Sequence, residues 1–191
     1  MSILKIARMG HPVLRMKCEP IDPKKITGPE VQRLIRDMFE TMAEYNGVGL
    51  AAPQVHQPVQ LAVAGGEADE EGGPRFRIII NPEITVLDEN DKLGMFEGCL
   101  SLPGLNGWVE RPASIQVKAY NQKGEQEEFT LEGYPAIVMQ HECDHLQGVL
   151  YVDRIEDLTR FAFEEEAGRY LDLDEDDNED DTGDTDDTEE T

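Results

Sequence analysis

The chain is poor in several things that would otherwise decide its class. Its 191 residues contain no run of about 18 apolar residues, so no membrane-spanning helix is expected. Met1-Ser2-Ile3-Leu4-Lys5 does not open a secretory signal. Three cysteines, an odd number without framework spacing, argue against a disulfide-stapled scaffold and suit a reducing cytoplasm. Bases are outnumbered, with 17 Lys and Arg against 41 Asp and Glu and a net charge of −24. Direct binding to nucleic acid is therefore not expected, because like charge repels phosphate. Histidine is scarce as well, with four in all.

Much of the negative charge is local. Residues 172–191 hold 13 acids and no base, which leaves 28 acids against 17 bases, a net −11, in residues 1–171. The terminal stretch has almost no apolar residues, and an acidic disordered tail is expected there. Residues 1–171 are long enough for one domain with its own core.

Two of the four histidines stand in Gln140-His141-Glu142-Cys143-Asp144-His145-Leu146-Gln147-Gly148. On a helix, residues four apart share a face, so His141 and His145 can grip one metal ion with Glu142 beside them to move a proton. Pro135 suits a first helical position and Gly148 a C-terminal stop. Residues 136–139 are apolar on every side, which indicates a helix buried in protein. Polar groups on such a helix are costly unless something satisfies them, and a metal ion does so.

A catalytic metal commonly has three protein ligands and one open position. Cys99, in Glu97-Gly98-Cys99-Leu100-Ser101, is the leading third ligand: a thiolate binds strongly, and Gly98 lets backbone approach closely. Cys143 lies about 200° round the helix from His141 and points away. Glu164, Glu165 and Glu166 compete with Cys99, since a later Glu completes some helix-borne sites.

The segment Gly47-Val48-Gly49-Leu50-Ala51-Ala52-Pro53-Gln54, the Cys99 motif and the His141 motif, in that order, resemble the peptide deformylase family over about residues 3 to 170. The resemblance implies metal ligation by Cys99, His141 and His145, with Glu142 as general acid/base. Gln54 and the backbone N–H of Leu100 would stabilise the oxyanion. It also implies Fe2+ as the usual metal, with Zn2+, Ni2+ or Co2+ able to occupy the site. The implied activity is hydrolysis by metal-activated water of the formyl group on the N-terminal formyl-methionine of nascent polypeptides. N-formylmethionyl peptides are then the substrate partners, with transient ribosome proximity. Alignment with the family places Val48, Ile137 and Met95 around the methionine side chain, while Gly49 and Gly98 allow substrate backbone to pass close. Asn106 falls where some relatives carry a basic residue.

Along the chain, Thr27 and Glu30 read as a capping box before an apolar stripe of Val31, Leu34, Ile35, Met38, Phe39 and Met42, which Asn46-Gly47 ends. Strands are expected at 59–64, 75–81 and 84–87, with an acidic glycine-rich loop at 65–74 that does not pack. A hairpin is expected from 113–120 and 126–131 around 121–124. A further strand at 149–152 and a final helix capped by Asp157 would follow. Strands grouped around one buried helix give an α+β fold, antiparallel strands packed around the helix carrying His-Glu-x-x-His. His11 and His56 read as loop residues, Trp108 as core or groove, and Arg111 as an ion-pair partner or part of the groove.

Overall fold

The computed structural model describes residues 2–68 and 74–171. The expected tail at 172–191 lies outside them, as does the middle of the acidic loop. Two 3-10 turns, Pro12–Arg15 and Pro23–Lys25, precede helix α1 (Pro29–Glu44). Strand β1 (Gly49–Ala51) and a 3-10 turn (Ala52–Val55) lead to β2 (Leu61–Ala68) and β3 (Pro74–Val86). Then come β4 (Lys92–Gly98), β5 (Leu105–Pro112), β6 (Ser114–Tyr120), β7 (Gln126–Glu132) and helix α2 (Tyr134–Leu146). Two 3-10 turns, Tyr151–Asp153 and Leu158–Arg160, β8 (Phe161–Phe163) and α3 (Glu164–Tyr170) complete the described chain.

Every strand pair is antiparallel, in one sheet of order β1-β2-β3-β6-β7 and another of order β4-β5-β8. The class is α+β with antiparallel sheets, as the sequence indicated. Side chains alternate across a strand, and the five-stranded sheet uses both faces. Ala62, Ala64 and Ile79 pack with Ala136, Met139 and Leu146 of α2. Their neighbours Leu61, Val63 and Ile80 pack with Ile35, Met38 and Met42 of α1. A third cluster joins Ala7, Val13 and Leu14 of the N-terminal segment to Leu102, Val109, Leu150 and Tyr151. Among the described residues no helix is long and apolar enough to cross a membrane.

Several local expectations need correction. Helix α1 is capped by Gly28 without a side-chain bond, not by Thr27. The Gly28 N–H donates to Lys25 O at 2.9 Å, and a Cβ there would stand 2.9 Å from that same oxygen, so the tight exit from the preceding turn selects glycine. The two strands expected at 75–81 and 84–87 merge into one, β3, which ends at Val86 and whose register shifts between Ile80 and Glu83. Pro82 lies at that shift, where a residue with no N–H to donate is tolerated. The pairing of β2 with β3 also runs into both ends of the expected loop, to Ala68 and Pro74. Residues 149–152 make no strand; the Asp153 carboxylate accepts the Leu150 N–H at 2.8 Å and closes a 3-10 turn instead. Asp157 caps the short turn Leu158–Arg160, accepting from the Thr159 N–H, and the last helix begins only at Glu164. Strands β4 and β5, which flank the Cys99 motif, carry no clear alternation of polar and apolar residues and were not foreseen.

Candidate metal centre and its cleft

Helix α1 ends at Glu44, Asn46 with φ of 53° reverses the chain, and the Gly47 N–H returns to Met42 O at 2.9 Å. The chain then enters β1, which pairs with β2 from Gly49↔Ala64 onward. On the other sheet, β4 runs to Gly98 opposite Asn106, and Cys99 follows in a turn closed by the Leu102 N–H on Cys99 O at 2.9 Å. Helix α2 supplies His141, Glu142 and His145 and contacts β2 and β1, with smaller contacts to β5 and β7. It ends at Leu146, and Gly148 with φ of 75° turns the chain away.

These elements bring one donor atom each from Cys99, His141 and His145 to within 4.8 Å of one another. Cys99 Sγ lies 3.3 Å from His145 Nε2. Bond lengths of ~2.0–2.3 Å about a tetrahedral ion put neighbouring donors roughly 3.3–3.8 Å apart, so the donor set fits a divalent metal. Glu164, Glu165 and Glu166 are not part of this group. Cys143 packs beside the core between α2 and the five-stranded sheet, and burial pushes its thiol far above its ordinary range. Cys18 is buried in the same core, and burial raises it to about 11. All three cysteines are free thiols.

Behind the donors lies a ladder of ions. His141 Nδ1 meets Glu97 Oε2 at 2.8 Å, which leaves Nε2 of the ring toward Cys99. Glu97 is gripped in turn by Arg111 through Nε at 2.5 Å and the second guanidinium nitrogen at 3.0 Å. Arg111 also donates to Asp144 at 2.7 Å, and Asp144 accepts from Arg154 at 2.5 Å. The His141 ring stacks on buried Tyr151 at 6.1 Å between centroids, and the Tyr151 hydroxyl donates to Leu105 O. Burial works against charge on Glu97 and Arg111, but their partners prevail: hydrogen bonds to His141 and Arg111 lower Glu97, and Glu97 with Asp144 raises Arg111. Burial also opposes charge on His141, yet its bonds to Cys99 and Glu97 raise it well above 6.5. Burial and the neighbouring His141 charge hold His145 well below that value.

Glu142 is buried, and desolvation lifts its carboxyl to about 7; attraction to His141 opposes the rise and repulsion from Glu97 adds to it. Its Oε2 has no hydrogen-bond partner among the described residues. Gly49 makes room for it: a Cβ at that position would stand 2.2 Å from Glu142 Oε1. Gln54 is buried and its amide orientation is fixed, since Oε1 accepts the Ala51 N–H at 2.7 Å. The NH₂ therefore points to Cys99 Sγ at 3.4 Å and Ser101 Oγ at 3.3 Å. No bond to the Leu100 N–H occurs among the described residues.

Gln54, Glu97, Cys99, His141 and Glu142 line one cleft of about 790 Å³. Val48, Met95 and Ile137 are in its wall, Val48 half-exposed at 51% and Ile137 buried. Gly49, Gly98 and Leu100 line it as well. Trp108 stands behind the wall, edge-on to Phe96 at 5.3 Å and under the Arg160 guanidinium at 3.5 Å. His11 and His56 meet edge to face at 4.7 Å outside the donor group, with His11 Nδ1 accepting the Val13 N–H. Sequence reasoning missed the partnership of Glu97, Arg111 and Asp144 with His141. The only available signal was Glu97's place two residues before Cys99. Tyr151 was hidden in an expected strand, and the N-terminal wall left no signal.

The family model for polypeptide deformylase matches residues 3–161. A peptide deformylase of Leptospira biflexa is 46% identical over 180 residues, covering 90% of this chain and all of that protein. One from Aquifex aeolicus is 46% identical over 143 residues, 75% of this chain and 82% of its own length. Among solved structures, the peptide deformylase of Thermotoga maritima matches with a TM-score of 0.73 and 41% identity, covering 82% of this chain and 100% of that one. A class I type b peptide deformylase of Acinetobacter baumannii, solved with Met-Ala-Ser bound, matches with a TM-score of 0.74 and 33% identity over 81% of this chain and 99% of its own. On the extent and identity of these matches, the chain belongs to the polypeptide deformylase family.

Proposed function

We propose that the cleft beside α2 is where this deformylase works. The chain removes the formyl group from the N-terminal formyl-methionine of nascent polypeptides. What supports the cleft as the place is that Cys99 and His141, grouped with buried His145, line it together with Glu142 and Gln54. Cys99, His141 and His145 would hold one divalent ion, Fe2+ in the cell, with Zn2+, Ni2+ or Co2+ as substitutes. When bound, such an ion lowers the pKa of water from 15.7 toward about 7 and polarises a carbonyl.

The rest of the chemistry falls to side chains. Glu142, with a carboxyl near 7, accepts a proton from the attacking water at one oxygen and later gives it to the departing amine. The water oxygen joins the formyl carbon, the C–N bond breaks, and formate and a free amino terminus result. Negative charge gathers on the formyl oxygen meanwhile. The Gln54 NH₂, held by the Ala51 N–H on its other side, and the Leu100 N–H are the donors aimed at it; one such donor is typically worth about 100- to 1,000-fold in rate.

Val48, Met95 and Ile137 would take the methionine side chain, with discrimination of about 1–3 kcal/mol per methylene. Gly49 and Gly98 line the path that peptide backbone would take, and the Acinetobacter baumannii relative was solved with Met-Ala-Ser bound. Residues 1–171 are the catalytic unit in this reading, acting in the cytoplasm and close to the ribosome as chains emerge.

The decisive experiment is anaerobic purification, metal analysis and a formate-release assay with formyl-Met-Ala-Ser, beside Glu142→Gln. The variant should retain its metal and lose turnover by at least about 100-fold. Full turnover in it would remove Glu142 from the mechanism, and no formate from the metal-loaded parent would overturn the reading.

A further inference from the structure

The N-terminal segment forms part of the cleft wall, and its position is fixed by backbone bonds. The Leu4 N–H donates to Thr41 Oγ1 at 2.8 Å, the Ala7 N–H to Gln54 O at 2.7 Å and the Met9 N–H to Ser101 O at 2.8 Å. Ile6 and Ala7 are buried by this attachment, while Lys5 and Arg8 remain exposed, and both line the cleft. They are its only Lys or Arg residues among the described ones. Neither makes an ion pair among the described residues.

The other charges of the cleft are differently placed. Glu97 and Glu142 are buried, and Glu97 is tied to Arg111 and His141. Glu164 is the one exposed acid of the lining, and its backbone N–H is bonded to Gly104 O at 2.9 Å, at the end of the three-stranded sheet. Asn106, also in the lining, is neutral. Positive charge at the opening therefore comes from the N-terminal segment alone, on a chain whose 41 acids and 17 bases otherwise repel anionic ligands.

We propose that Lys5 and Arg8 form a cationic rim that selects formyl-methionyl chains carrying Asp or Glu within the first few residues after methionine. The inference rests on the deformylase reading, since it takes the cleft as the substrate's path. Ile137 and the metal-capable group are buried or partly buried while Lys5 and Arg8 are exposed, so residues following the methionine are those that pass the exposed side chains. Exposed charge pairs are individually weak and salt-sensitive, so the rim biases the choice of substrate and leaves the bond-breaking step to the interior.

The test compares formyl-Met-Ala-Glu-Ala-amide with formyl-Met-Ala-Gln-Ala-amide and formyl-Met-Ala-Lys-Ala-amide, amidated so that no terminal carboxylate competes. The metal-loaded full chain should show kcat/KM for the Glu peptide roughly three- to tenfold above the Gln peptide, and the Lys peptide below it. The ratio should shrink toward one in 1 M salt. In the doubly exchanged Lys5→Gln/Arg8→Gln protein it should fall to about one at low salt, and in Lys5→Glu/Arg8→Glu it should invert. Equal rates on all three peptides, or a Glu preference that survives both exchanges, would overturn the rim. Release of formate from none of them would instead bring down the deformylase reading on which it stands.

Discussion

Glu97 holds His141 from behind, Oε2 to Nδ1 at 2.8 Å, while its other oxygen is taken by the buried guanidinium of Arg111. A carboxylate on the far nitrogen fixes the tautomer and the plane of an imidazole, so the remaining nitrogen presents a lone pair in one direction. Glu97→Ala removes that restraint and leaves Arg111, 3% exposed, with Asp144 as its remaining partner. Metal affinity should fall about 10- to 100-fold in a competition titration with a chelator. Denaturant unfolding of the ion-free protein should show a loss of about 3 kcal/mol, from a buried cation that has lost its two-point partner and keeps one acid. Unchanged metal affinity would mean that the stack on Tyr151 alone orients the ring.

Gly49→Ala tests the approach of backbone to Glu142. Its Cβ would fall 2.2 Å from Glu142 Oε1, so the carboxylate or the strand must move. Because β1 is paired with β2 on one side, the carboxylate is the softer of the two. A displacement near 1 Å at a reacting group costs about 100-fold in rate. We expect kcat to drop by that order while metal content and melting temperature stay close to the parent's. A fully active Gly49→Ala protein would show that Glu142 works from another position.

Asp153 offers a stability prediction away from the cleft. Burial alone would raise its carboxyl, but its bonds to the Arg15 guanidinium and the Leu150 N–H outweigh that, and it is lowered below 3.8. A depressed carboxylate contributes stability that is complete above the unfolded value of about 3.9 and disappears as pH falls through the folded value. Both side chains are well exposed, so solvent screening limits the ion pair to about 1 kcal/mol. Parent and Asp153→Asn proteins should therefore differ by about that amount in urea melts above pH 5 and converge as pH falls through the lowered folded value. A constant gap across that range would assign the loss to the turn and not to the charge.

The sequence disclosed the chemistry more readily than the architecture. His141 and His145 are four apart on a helix, and local spacing alone puts their rings on one face. Cys99 could be named but not located, because its distance from them in space depends on how β4 and β5 pair, and neither strand alternates cleanly. Thr27 looked like a helix cap and is not one, because Lys25 O occupies the place where the chain must turn and Gly28 fits there. The strand expected at 149–152 failed for a related reason: a side-chain oxygen three residues ahead of Leu150 competes successfully for its N–H. Arg111 could be read as an ion-pair partner, but nothing in its neighbours' identities said that both of its acids would come from motif residues, Glu97 and Asp144. Tertiary proximity of that kind leaves no periodic trace.

The bonds from Ala7 to the Gln54 carbonyl and from Met9 to Ser101 have a bearing on synthesis of the protein itself. Ala7 and Met9 are wall material for a cleft whose candidate donor His145 follows them by some 140 residues. Contacts of such long sequence separation form late, after the loops between them have been closed. A chain interrupted before α2 thus lacks His141, Glu142 and His145 together, and should be hydrolytically silent.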